Sequence, residues 1–522
     1  MSFKKISCIV LAVSVSVFSF AEKADVQREI KIISGRHVYD LDPHTASYAN
    51  EAQLLTGLYE GLFSYNPVTL EPVNAICESF KISRDKKRWT FKLKENVKFS
   101  DGTPITASVI RDSWISLLNT KGAPFASFLD CVKNAALYRD GKTDAASVGI
   151  DARNDTTLVV NLEEPTGHLA SLLCHHSLCA VSKNKGVYSG AFVLESCTDE
   201  KIVLKKNPNY HEAENVLIPG ITITLNDDVK ENTYEFNTGN ADWVDSYADS
   251  EKVIDTDNVH VSANFGTTYL FFKNKNSPWN NPKIRQALLT AIPYDELRKD
   301  YYMKAETLIY QLSGYPKVTG LSDYDADDAL ALMNEARDEL NIPLMQPLTI
   351  VFAGAEPDFT SKWSDILKKA WEPLGVKLVV QNAPVERYNA SIPFWDADVF
   401  FYSWIGDYAD PLAFLELFRS GSTFNESGYS NKDYDSYLLQ ASRSDSAADR
   451  MKLLSKAEQL LLDEGEIIPV NHSLSLHVIN LNEIGGWSQN ALDIHPLRYL
   501  YIKKAENPLK GKLLIKFSRD QF

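Results

Sequence analysis

The densest run of metal-binding side chains in the sequence is Cys174-His175-His176-Ser177-Leu178-Cys179. Two thiolates and two imidazoles make a donor set that zinc accepts. Adjacent histidines, however, point in different directions on a regular strand or helix, and Leu169, Leu172 and Leu173 beside them read as buried packing. The run favours core over metal, and no metal or other cofactor is expected. The second singular group is Asp407, in Ser403-Trp404-Ile405-Gly406-Asp407-Tyr408. It follows the apolar run Val399 to Tyr402, so its carboxylate should emerge where a rigid strand ends and a cleft begins. In a closing, water-poor cleft such a carboxylate can pair with an ammonium group. Its competing role is to cap a turn or the helix near Pro411, although Asp410, directly before Pro411, is better placed for that. There is no HExxH, P-loop, GxSxG, or GxGxxG after a strand. Catalysis has no local support, and a binding protein is expected in place of an enzyme.

The elements that must position these groups alternate irregularly. Glu29 to Ser34 reads as a strand, and Asn50 to Leu62 carries Leu54, Leu55, Leu58 and Leu62 at helical spacing. Arg88 to Phe99 alternates like a half-buried hairpin, and Thr106 is placed to cap a helix running to about Leu118. Thr157 to Leu162, Ile202 to Leu204 and Ile221 to Leu225 read as strands, and Glu231 to Thr238 as a helix. From Tyr269 onward longer helical patterns are expected: Pro282 to Ile292, Ala326 to Leu340, Phe359 to Leu374, Asp433 to Ser442 and Ala447 to Asp463. Among them lie the strands Val376 to Val380 and Ala397 to Trp404. A chain of 522 residues is too long for one ordinary core. The mixture without strict alternation predicts an α/β protein of two or more lobes, not one doubly wound sheet.

The ends and the charge narrow the class. Lys4 and Lys5, the apolar run Ile6 to Phe20, and Ser19-Phe20-Ala21 form a secretory signal pattern, with a mature chain starting near Glu22. Cys8 sits too early in the apolar run for a lipoprotein cysteine. Removing the two lysines takes the formal charge from −15 to −17, which disfavours nucleic acid and anionic lipid as partners. Five cysteines remain after cleavage, and an odd number leaves at least one thiol unpaired in a monomer, the state expected here.

Several segments, in order from about residue 30 to 502, resemble the extracytoplasmic solute-binding protein family 5, the peptide receptors of ABC importers. They are Leu41-Asp42-Pro43-His44, Leu58-Tyr59-Glu60-Gly61-Leu62, Trp89-Thr90-Phe91-Lys92-Leu93, and Phe99-Ser100-Asp101-Gly102-Thr103-Pro104-Ile105-Thr106-Ala107. Lys205-Lys206-Asn207-Pro208-Asn209-Tyr210, Arg285-Gln286-Ala287-Leu288, Asp407-Tyr408-Ala409-Asp410-Pro411 and Arg498-Tyr499-Leu500-Tyr501-Ile502 continue the match. The resemblance implies a periplasmic-binding-protein-like two-lobed clam (cluster C type) with an extra inserted domain. Domain I would combine 22–59, 181–265 and 481–522, domain II would be 60–180 and domain III 266–480. It also implies a periplasmic receptor that captures short peptides between lobes and passes them to an ABC permease. Asp407 would be the amine anchor, Ser403 and Ile405 would offer backbone groups, and Trp404 would wall a pocket or serve as core. Ala49 falls where family members pair backbone with ligand, and Phe125 where many carry tyrosine near the cleft. SDGTP and LYEGL read as structural.

Three departures bear on the ligand. The strand Asp398 to Ser403 lacks the arginine that often fixes a peptide carboxylate, and Gln381 to Tyr388 lacks a frequent tryptophan, though Arg387 is present. The connection Val181 to Phe192 is short and carries Ser189-Gly190-Ala191 where NGAY would be expected. A missing carboxylate clamp favours longer peptides or ligands with no carboxylate, and Phe400, Phe401 and Tyr402 favour apolar side chains. The alternatives are the same fold around a nickel chelate, haem, a cell-wall peptide or an oligosaccharide, and a zinc-dependent enzyme built on the Cys174–Cys179 run.

Overall fold

The structure is a computed structural model that describes residues 28–504 except 276, 311, 313, 356, 407, 409 and 445. The expected signal segment 1–21 and residues 505–522 lie outside the described residues. Ten strands form one continuous sheet. From one edge they run Val376–Asn382, Leu348–Gly354, Val399–Ile405, Val259–Phe272, Ile467–Ile479, Trp243–Asp245, Ile30–Ser34, Gly220–Leu225, Lys201–Lys206 and Phe192–Cys197.

The sheet is shared by two lobes because two of its strands are long enough to serve both. Val259–Phe272 has 14 residues and Ile467–Ile479 has 13. Their outer halves pair with each other next to Trp243–Asp245, and the inner half of Val259–Phe272 pairs antiparallel with Val399–Ile405. Between the halves the register slips: Ala263 faces Leu474, whereas Thr267 faces His472. A bulge of this kind interrupts the ladder and bends the strand, and it marks the crossing between the lobes. Each lobe keeps its own core. Ile32, Ile221, Trp243 and Ile479 are buried together on one side of the crossing, and Leu288, Ile350, Trp371 and Ile468 on the other.

A third unit is inserted after the first helix. Cys77–Ile82, Arg88–Leu93, Thr157–Asn161 and Ile150–Asn154 form a four-stranded antiparallel sheet, and the helix Ala107–Asn119 packs on it through Ile110, Trp114 and Leu117. The predicted hairpin within Arg88 to Phe99 is not there. The strand stops at Leu93 and its partners are Cys77–Ile82 and Thr157–Asn161, because Asn96 adopts a left-handed φ of 61° and turns the chain away. The first helix spans Ala49–Leu58 and ends before Leu62, which packs in the inserted unit. Tyr269 lies inside the long crossing strand, so the helical region begins later than expected, at Pro282. Thr106 does occupy the N-cap, but without a side-chain cap hydrogen bond.

The helix Ala447–Asp463 carries a fully buried carboxyl, Glu458, whose oxygens accept from the Ile309 N–H at 2.8 Å and the Tyr315 hydroxyl at 2.8 Å. Burial pushes this carboxyl up to about 7, only partly offset by those two donors. The folded state therefore holds a proton that the unfolded chain releases. The resulting stability is complete below the ordinary carboxylate range and is lost as pH rises through about 7, an effect of about 3 kcal/mol at most. Thermal unfolding followed from pH 5 to pH 8 should show a smaller decline for Glu458→Gln than for the parent chain. Equal slopes in the two proteins would remove Glu458 as the cause.

Candidate functional site

A cavity of about 1020 Å³ lies between the lobes and against the inserted unit. One wall is the strand Val399–Ile405, from which Tyr402, Ser403, Trp404 and Ile405 reach the cavity, with Gly406 after them. The opposite wall is the start of the first helix, with Ser47, Tyr48 and Ala49, backed by Leu492 and Ile494 from the return of the chain. The inserted unit contributes the segment around Phe125 together with His175 and His176.

The strand wall has an open edge. Val399–Ile405 pairs along its length with residues 266–272, but on the other side Leu348–Gly354 reaches only Val399 and Phe400. No described strand covers that side of Ser403, Trp404 and Ile405, and Ser403 is exposed. Backbone groups on such an edge can accept another strand, and here they border the interlobe cavity. Phe265 O accepts from the Gly406 N–H at 2.7 Å, which holds the strand end to the crossing bulge. Gly406 also suits this close approach: a Cβ there would lie 2.5 Å from the Phe265 ring.

Contacts bridge the cavity from one unit to another. The Thr423 hydroxyl donates to Pro124 O at 2.8 Å and lies 2.8 Å from Ser127 Oγ. Arg419 reaches Asp130 at 3.1 Å, Arg443 pairs with Glu164 at 2.6 Å, and Asn389 lies 3.5 Å from the Tyr48 hydroxyl. The Phe125 and Phe424 rings meet across the same gap at 5.5 Å. The lobes are therefore apposed across the cavity.

The lining is mostly apolar and aromatic, with few charges. Trp404 is half-buried, stacks with Tyr402 at 5.9 Å and donates its Nε1–H to Ala413 O at 2.9 Å, so it is a fixed wall as well as a ligand-facing surface. Glu426 faces the cavity with its carboxyl raised by burial, and Lys273 acts in the opposite direction. Arg139 is held by Asp130 and by Gly421 O. Lys121 is exposed, while Arg387 is exposed and does not line the cavity. Burial pushes His175 down to about 3 and His176 well below its ordinary value, so both rings are neutral. His175 packs on Phe125 at 4.3 Å and its Nδ1 lies 2.9 Å from Ser177 Oγ.

Five of the six residues expected at the site meet at this cavity: Ala49, Phe125, Ser403, Trp404 and Ile405. Asp407, the sixth, lies outside the described residues; it is the next residue in the chain after Gly406. Asp410 accepts from the Leu412 N–H at 3.0 Å and pairs with Arg450 through both oxygens, at 2.6 and 2.9 Å, so the helix after Pro411 has its cap. Glu426, Arg139 and Phe424 carry no local motif, and only the folding of distant segments brings them here.

The zinc alternative built on Cys174, His175, His176 and Cys179 is corrected by the geometry. The four side chains do not converge as ligands, and all five described cysteines are unpaired. Burial pushes the Cys174 and Cys179 thiols up, so they stay protonated, whereas zinc takes the thiolate. His175 and Cys174 are packing residues of the inserted unit.

A ligand-sized space between two lobes joined by a pair of crossing strands is the architecture of a solute receptor. The family bacterial extracellular solute-binding proteins, family 5 (middle region), matches residues 71–426. The chain belongs to that family. It is 27% identical over 520 residues to the periplasmic oligopeptide-binding protein OppA of Escherichia coli, covering 93% of this chain and 94% of that one. It is 26% identical over 484 residues to the dipeptide-binding protein DppE of Bacillus subtilis, covering 87% of each. The structure of the Escherichia coli murein tripeptide-binding protein MppA superposes with a TM-score of 0.79 at 25% identity, covering 92% of this chain and 100% of that one. The unliganded open form of MppA gives a lower TM-score of 0.66, in keeping with the apposed lobes seen here. Among the described residues no helix is long and apolar enough to cross a membrane.

Proposed function

We propose that this protein is the periplasmic receptor of an ABC importer, exported on its signal segment, and that it captures short peptides between its lobes and releases them to the permease without turnover. One observation carries the reading: the open strand edge at Ser403–Ile405 borders an interlobe cavity of about 1020 Å³. A receptor for peptides of many sequences has to hold what all of them share, the backbone and the amino terminus. A strand edge supplies the first by β-addition. Asp407, two residues beyond that edge, supplies the second. The volume lies at the upper end of the roughly 300–1,000 Å³ typical of small-molecule pockets, enough for a peptide of a few residues.

The lining also bears on the far end of the ligand. Arg139 is already paired with Asp130, which leaves Lys121 as the cavity's exposed cation among the described residues. With no buried cation committed to a carboxylate, peptides should be held by backbone and amine first, and their length should vary. Native mass spectrometry of freshly purified protein, followed by release in acid, tests this. A family of short peptides of mixed length is the expected cargo. A nickel chelate, haem or an oligosaccharide recovered in stoichiometric amount would replace the peptide reading while leaving the receptor class intact.

A further inference from the structure

Behind the cavity wall, His477, Asp493 and His495 bring one ligand atom each within 4.8 Å of one another. Nε2 of His477 lies 2.8 Å from Oδ1 of Asp493, and Nε2 of His495 lies 3.5 Å from the same oxygen. On the far side of the first imidazole, Asp245 Oδ1 is 3.3 Å from His477 Nδ1. His477 belongs to the long crossing strand and Asp245 to its neighbour Trp243–Asp245, so both stand on rigid backbone. Asp493 and His495 come from the following loop, which Asn490 holds by accepting from the Leu492 and Ile494 N–H groups at 3.1 and 3.2 Å and donating to Ile494 O at 2.8 Å.

We propose that His477, Asp493 and His495 form a binding site for a divalent transition metal of the zinc class, with Asp245 orienting His477 from outside. The donor set, two imidazoles and a carboxylate, is one that zinc accepts with a fourth position left for water. Tetrahedral ligands about 2.0–2.1 Å from a metal stand about 3.3–3.5 Å apart; the two histidine–Asp493 separations are 2.8 and 3.5 Å, and the whole set, within 4.8 Å, has to draw in around the ion. A carboxylate on the outer nitrogen of a ligating histidine is the usual way its tautomer is fixed. An independent observation points the same way. His495 is only 3% exposed, and the partner its Nε2 reaches is Asp493, at a long 3.5 Å. A contact of that length satisfies a buried imidazole nitrogen poorly, and a metal at this point would hold it more closely.

The arrangement has a spectroscopic consequence. Trp243 Nε1 lies 3.2 Å from His477 Nδ1, and Trp487 stacks on His495 at 4.6 Å. Metal on Nε2 puts the proton of His477 on Nδ1 toward Asp245, so the Trp243 N–H then faces another donor and must shift. The site also sits directly behind the peptide cavity, because Leu492 and Ile494 face the cavity while Asp493 and His495 face His477. It stands independently of what the cavity binds.

The test is calorimetric titration of the chelator-treated mature chain with zinc chloride, alongside tryptophan fluorescence. One zinc per chain and a fluorescence change reduced in Trp243→Phe are expected. His495→Gln, which keeps size and polarity, should weaken zinc binding at least 100-fold, and Asp245→Asn should weaken it roughly 10–100-fold. Unchanged circular dichroism would show that the variants are folded; if His495→Gln is not folded, Asp245→Asn alone decides. No stoichiometric binding by the parent chain would overturn the proposal. So would zinc binding that persists in the double variant His477→Ala/His495→Ala, which would move the metal to thiols elsewhere.

Discussion

Replacing Asp407 with asparagine is expected to weaken binding of a free-amine tripeptide about a thousandfold while leaving its N-acetylated form almost unaffected. A peptide drawn into the closed cavity brings a primary ammonium group out of water. The cost is recovered only if a carboxylate meets it, and stripping one partner from such a buried pair costs about 3–5 kcal/mol, which at about 1.4 kcal/mol per tenfold is two to four decades. Asparagine keeps the size and removes the charge, so packing and backbone geometry stay as they are. Isothermal titration with the free and acetylated peptides separates charge recognition from the backbone pairing offered by Ser403–Ile405. The described cavity holds one competing carboxylate, Glu426. If the ammonium sits there, Glu426→Gln will erase the preference for the free amine and Asp407→Asn will not, and the assignment of Asp407 fails.

How far the sequence led to this site can be argued residue by residue. The strand that carries Ser403, Trp404 and Ile405 was legible because a short apolar run followed by a polar turn is a strong local signature of a strand emerging at a surface, while the roles of the three residues came from the family resemblance. Ala49 and Phe125 came from family resemblance alone. Nothing local marks either, since Ala49 is an exposed first residue of a helix and Phe125 a buried ring in a turn. Glu426 was missed for the same reason: its role depends on where residues 423–426 land against the inserted unit, a contact between segments some 300 positions apart. The two crossing strands were the largest omission. Val259–Phe272 and Ile467–Ile479 each change partners along their length, so the side that is buried changes too, and the period-two alternation that marks a half-buried strand is lost. The misreading of Tyr269 as the start of a helical region follows from that.

Three of the segments that carry the family resemblance share a single structural role, and it yields the second large effect. Glu60 in the LYEGL segment, Tyr210 and His211 after the Asn-Pro-Asn turn, and Arg498 near the end of the chain meet in one buried cluster. Arg498 donates to Glu60 Oε1 at 2.7 Å and to the Tyr210 hydroxyl at 2.7 Å, the Tyr210 hydroxyl donates to Glu60, and His211 lies 2.5 Å from the other Glu60 oxygen. Burial alone would push the Glu60 carboxyl up, yet Arg498, His211 and Tyr210 hold it below the ordinary range. Arg498→Met should therefore leave an uncompensated anion in the core and lower unfolding stability by about 3–5 kcal/mol, read as a large drop in the urea midpoint. The double variant Glu60→Gln/Arg498→Met should recover much of that loss, because the expensive species is the lone charge and not the missing pair. A double variant no more stable than Arg498→Met would mean that the guanidinium acts by packing against Tyr499, 4.6 Å from its ring, and not by neutralising Glu60. Since none of these residues lines the peptide cavity, the affinity of the folded fraction for peptide should stay within a few-fold of the parent chain, which separates this cluster from the site around Asp407.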